Sequence, residues 1–193
     1  NTSGTKSAGI NLFDYITQGQ RDRLVSKTLD LSNVSNTTLS FKHAHRRYAQ
    51  SGQSPANRDS LIVYISINGG TSWNRLLSAG ENGQGSFATN SSINVAFTPQ
   101  IADDWCYSGT TGAPCFNLNL SAYDGQSNVK IRFESVNDYG NYIYLDDIVV
   151  SGNCNVIPIG PIANFDADSL SGCGIVNVQF SDQSANNPTS WLW

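Results

Sequence analysis

One hundred and ninety-three residues, 39% of them hydrophobic, are enough to build a sizeable core, so disorder along the whole length is excluded. Only 13% are charged, while Asn, Ser, Thr and Gly number 21, 25, 12 and 17, which describes an uncharged polar surface with many turns, as in secreted or surface β proteins. A net charge of −4, with four Lys and seven Arg scattered along the chain, offers no basic stripe for nucleic acid or anionic lipid, and no apolar run is long enough for membrane insertion.

Helical periodicity is absent; short alternating runs take its place, separated by Gly, Asn and Ser clusters. Leu29 with Leu31, then Leu39 with Phe41, supply the first inward rows. His43 and His45 follow, the two His of the chain, spaced so that a strand puts both imidazoles on one face. That suits a metal in principle, yet a catalytic zinc needs a third ligand and a base, and no H-E-x-x-H helix is present. The expectation is a strand end with His43 hydrogen-bonded under a loop. Residues 61–67 are apolar on both faces and β-branched, which predicts a central strand. Ile93, Val95 and Phe97 predict a further inward row, as do Phe116, Leu118 and Leu120. Over residues 128–136, Val129, Ile131 and Phe133 oppose Lys130, Arg132 and Glu134, a half-buried antiparallel strand. Many short strands, with no helices, predict an all-β sandwich.

The string Tyr142-Ile143-Tyr144-Leu145-Asp146-Asp147-Ile148-Val149-Val150-Ser151-Gly152 resembles the closing strand of MAM and cleaved-adhesin jelly-roll modules, whose end is often marked by a Cys, here Cys154. Upstream features stand in the order found in secreted Bacteroidetes-type versions: Leu29-Asp30-Leu31-Ser32, Leu39-Ser40-Phe41, Asp59-x-Leu61-x-Val63-x-Ile65, Gly69-Gly70-x-x-Trp73 and Phe97-x-Pro99. The resemblance implies an antiparallel jelly-roll sandwich over residues 1–154. It departs from the pattern at the start, where a further Phe-Glu type strand is usual, missing here or supplied by another chain. Two prolines in residues 155–162 read as a stiff linker. Residues 163–193 resemble the beginning of a PKD domain, an immunoglobulin-like spacer, through Ala163-Asn164-Phe165, Val176-x-Val178-x-Phe180-x-Asp182 and Trp191-x-Trp193. They are expected to be the first part of a longer domain. This pairing often lies C-terminal to a secreted catalytic domain, pappalysin-like zinc metallopeptidases among them.

Candidate sites follow from residue chemistry. Four Cys permit three pairings in an oxidising compartment, and the local one, Cys106 with Cys115 and Cys154 with Cys173, is expected. Zinc is disfavoured because there is no C-x-x-C pair and no His near any Cys. No G-x-S-x-G is present, and adjacent strand residues point to opposite faces, so neither Asp103-Asp104 nor Asp146-Asp147 forms a catalytic dyad. For the same reason one of Asp146 and Asp147 must meet the interior or its rim, where either a structural Ca²⁺ shared with Asp22 and Asp59, or backbone N–H donors or an Arg, would satisfy it. The related jelly rolls commonly hold such an ion near this strand. Trp105 and Tyr107, flanking Cys106 in a stiffened loop, are the expected surface for a sugar ring or peptide. The expected function is a non-catalytic accessory or adhesion module that positions a parent catalytic domain on protein or polysaccharide. A spacer, or a carbohydrate-binding module of a glycoside hydrolase, is the alternative.

Overall fold

Ile131 and Phe133 leave their strand toward one side and Arg132 and Glu134 toward the other, and this two-faced pattern recurs in the long strands. The computed structural model describes residues 6–49, 59–80, 87–106, 113–154, 160–168 and 171–190. Two compact units divide the chain, Asn1–Asn155 and Val156–Trp193.

Among the described residues the first unit has eight strands: β1 (Ala8–Ile10), β2 (Arg21–Val25), β3 (Val34–His45), β4 (Ser60–Ser66), β5 (Asn74–Gly80), β6 (Phe116–Asn119), β7 (Lys130–Val136) and β8 (Ile143–Cys154). They make two four-stranded sheets ordered β1-β8-β3-β6 and β2-β7-β4-β5, with antiparallel neighbours throughout. The chain changes sheet at every connection except β4 to β5, the wiring of an eight-stranded jelly roll. Leu39, Phe41, Ile143 and Leu145 of the first sheet and Leu61, Val63, Ile65, Ile131 and Phe133 of the second share one buried cluster. β4 lies between β7 and β5, the central position its apolar run predicts. Among the described residues no helix is long and apolar enough to cross a membrane.

A second, smaller core lies on Ala44 of β3, where Phe97 and Trp105 are buried with Ile93 and Tyr144 packed against them. The segment that supplies Phe97 is not a strand. Ile93 makes only an isolated bridge to Tyr48 and Val95 is 58% exposed, so the predicted inward row of three is corrected to one buried ring. Phe97 N–H and Val95 C=O instead bond the side chain of buried Asn141 at 2.8 and 3.0 Å.

Alternation also breaks in β8. Ser40 pairs with Val149 and Lys42 with Asp146, so β8 carries an extra residue there, and Asp147 adopts φ 47°. The bulge reverses the facing of everything after it. Leu145 and Val150 therefore both pack toward the main core although five positions apart. A compensating extra residue in β3, between Ser35 and Thr38, falls at Asn36 (φ 54°), whose N–H donates to Asp124 at 2.8 Å.

The Cys106–Cys115 disulfide is formed, and Cys106 N–H bonds the His43 carbonyl at 2.6 Å, tying the loop to β3. The expected Cys154–Cys173 bridge is absent. Both are exposed free thiols, one at the end of β8 and the other in the second unit.

The second unit has an antiparallel pair, β9 (Phe165–Ala167) and β10 (Phe180–Asp182), with the Phe165 and Phe180 rings edge to face at 5.6 Å. Phe165, Phe180, Val176 and Val178 are exposed. Trp191 and Trp193, and most of the expected linker, lie outside the described residues.

Candidate functional site

The outer face of the second sheet collects an arrangement that no single stretch of sequence contains. Register decides it: Arg23 of β2 stands opposite Glu134 of β7, Val25 opposite Arg132, and Arg132 in turn opposite Tyr64 of β4, which faces Arg75 of β5. Directly opposed residues share a face, so these side chains stand on the surface away from the core.

Glu134 is only 2% exposed and accepts from Arg21 Nη1 and Arg23 Nε, each at 2.6 Å, with Arg132 Nη2 at 3.6 Å. Burial works against its charge, and the bonds from Arg23 and Arg21 with the Arg132 charge outweigh it, holding the carboxyl below its ordinary range. The Arg132 guanidinium lies between two rings, 4.3 Å from the Tyr64 centroid and 4.4 Å from that of Trp73. Trp73 reaches this position because the turn at Gly69 and Gly70 takes positive φ (69° and 100°) and leaves Gly70 without a side chain beneath the ring. Ser66 Oγ and Asn68 brace the turn, with Gly70 N–H donating to Ser66 Oγ at 2.8 Å. Lys130 and Arg75 complete the face, and neither has an ion-pair partner among the described residues. Five of the eleven basic residues thus sit with one buried carboxylate, on a chain whose net charge is −4.

A second feature is a cleft of about 230 Å³ where the sandwich opens between β1 and β2, walled by Leu24, Leu61, Phe133, Ile143 and Leu145. Asp22, Arg23 and Ser135 are its polar members; the Ser135 hydroxyl is buried without a hydrogen bond, and Asp22 accepts the Tyr15 hydroxyl.

The predicted site residues fall elsewhere. Trp105 is 2% exposed inside the small core, so it offers no ligand surface, a correction that follows from Phe97 and Ala44 needing cover. Tyr107 lies outside the described residues. The four carboxylates proposed for calcium do not meet. Asp22 holds Tyr15; Asp59 accepts the N–H groups of Asp138, Gly140 and Asn141 at 2.9, 3.2 and 2.7 Å; Asp147 pairs with Lys42 Nζ at 2.9 Å; and Asp146 accepts the Asp147 N–H. No cluster of three metal-ligating side chains exists among the described residues, so these four do not fit one shared ion. The bulge at Asp147 is the reason the expected inward carboxylate is not forced.

His43 and His45 are both buried, His43 stacked on Phe116 and His45 on Phe87 at 4.3 Å. Their ring nitrogens lie 2.9 and 3.0 Å from the Phe87 and Tyr142 carbonyls, and burial lowers both to about 4, leaving neutral imidazoles. Asp104, the inner of the other adjacent pair, accepts the N–H groups of Gln100 and Ile101.

No known protein family and no curated protein matches the chain. Among solved structures it is similar to the K3 cleaved adhesin domain of Lys-gingipain from Porphyromonas gingivalis, at 20% identity and TM-score 0.42, over 76% of this chain and 74% of that one. A carbohydrate-binding module from the β-sandwich superfamily aligns at 16% identity and TM-score 0.35, over 77% of this chain and 55% of its own.

Proposed function

We propose that this chain is a non-catalytic binding module of a secreted or cell-surface protein, holding protein or polysaccharide on the outer face of the second sheet. The observation that carries the reading is Arg132 clamped between Tyr64 and Trp73 beside the buried Glu134, a polar and aromatic surface held in place across the strands of the second sheet. The Cys106–Cys115 bridge supports an oxidising, extracellular setting. Residues 1–154 are then a MAM-like or cleaved-adhesin-type jelly roll, 155–162 a linker and 163–193 the first part of a PKD-like spacer. The parent is a secreted enzyme, with a pappalysin-like zinc metallopeptidase the form this pairing suggests and a glycoside hydrolase the alternative.

The test is retention of the whole chain on a panel of insoluble proteins and polysaccharides. Retention on at least one, lost in Trp73→Ala with the fold intact by circular dichroism, is the expected result. A chain that passes through every matrix is a spacer, and its deletion would alter secretion or stability of the parent without changing turnover of a soluble substrate.

A further inference from the structure

We infer that the ligand of this face is an acidic polysaccharide, a glycan carrying carboxylate or sulfate groups, bound across the strands β2, β7, β4 and β5. The inference rests on the binding reading above and names its ligand class.

Charge is the first argument. Arg21, Arg23, Arg75, Lys130 and Arg132 face one carboxylate, and that carboxylate is already spent on Arg21 and Arg23. Arg75 is exposed and has no ion-pair partner among the described residues, so an incoming anion meets positive charge there with no such pair to break. The Arg132 guanidinium is held against two rings, which lowers the ordering cost of binding through the part of it left exposed.

Spacing is the second argument. Arg132 and Arg75 stand two strands apart, a backbone separation of roughly 9.5 Å. Nucleic-acid duplexes carry a phosphate about every 3.4 Å of helix axis on each strand, a denser row than two cations with the neutral Tyr64 between them would match. A glycan with an acidic group on every second sugar spaces its charges more widely, placing hydroxyls between them. The covered middle of the face is the third. Ile62, the apolar residue there, is nearly covered, and the cleft lies between the sheets, so an acidic peptide would find charge across these strands without an open apolar seat at their centre for its other side chains.

The experiment is affinity electrophoresis of the full chain through gels containing hyaluronate, keratan sulfate, neutral dextran, polyglutamate or single-stranded DNA, at low and at elevated salt. Retardation by hyaluronate or keratan sulfate, weakening tenfold or more with salt, is expected, and the two gels tell carboxylate from sulfate recognition. Arg75→Glu, at an exposed site with no ion-pair partner among the described residues, should weaken it at least tenfold with an unchanged melting midpoint. A second variant, Lys130→Gln, should weaken it less. Salt-insensitive retention on neutral dextran, unchanged in Arg75→Glu but lost in Trp73→Ala, would overturn the acidic ligand and leave the binding face standing. Polyglutamate or DNA bound as tightly as either acidic glycan would overturn the glycan. No retardation in any gel would overturn both.

Discussion

His43 and His45 set the acid limit of the fold. Their folded values lie near 4 against an ordinary 6.5, so between those limits the unfolded chain binds protons that the native state refuses. Stability is then complete above about pH 6.5 and falls as pH drops toward 4, each imidazole contributing a slope of up to about 1.4 kcal/mol per pH unit. Asp59 acts with the opposite sign. Burial raises its carboxyl to about 6 against the pull of three N–H donors, so its contribution is greatest at low pH and lost as pH rises from the unfolded value to 6. Asp59 therefore offsets one imidazole between about pH 4 and 6, and the net loss runs at about the slope of one imidazole from about pH 6.5 down to about 5, with no sharper step inside that window. Urea midpoints across this range check the prediction; a flat profile would contradict it. Asp59 also explains Gly140, where any Cβ would overlap its carboxylate. Gly140→Ala should expel that carboxylate from its three N–H donors and cost about 2 kcal/mol, read from the same midpoints.

At the scale of elements, the strands were legible wherever one face is apolar and the other polar. Residues 128–136 needed only alternation and residues 61–67 only their apolar, β-branched run, and β7 and β4 follow them. The bulge in β8 was not legible, because nothing in Leu145-Asp146-Asp147-Ile148 announces a positive φ at the second Asp. The Arg132 clamp was invisible for a different reason. Arg21, Arg23, Arg75 and Arg132 are far apart in sequence, and only the cross-strand register gathers them, so a chain that reads as having scattered cations has a cationic face. Trp105 misled because a Trp between a Cys and a turn looks like loop decoration, whereas it roofs Ala44 on the outside of β3. Trp105→Ala should accordingly lower stability by about 3 kcal/mol through the cavity left with Phe97, without altering retention on any polymer. Loss of retention in a fully folded Trp105→Ala chain would contradict this.

For the whole molecule, composition limited the surface to uncharged polar groups and the core to one sandwich, and the jelly-roll wiring supplies the rest. Two sheets with staggered partners give a closed interior, a small second core outside β3, and one open side between β1 and β2. The ladder partners of β1 and β2 lie in β8 and β7, so the two strands nearest the N-terminus have nothing to pair with until residues 130–154 exist. A ribosome or export channel releasing the chain from its N-terminus would leave those strands solvated until almost the whole first unit had emerged. Closure of both sheets then becomes a single late event, slow because its contacts are the most distant in sequence. On the proposed reading of a secreted module, that delay would hold the chain unfolded during its passage across a membrane.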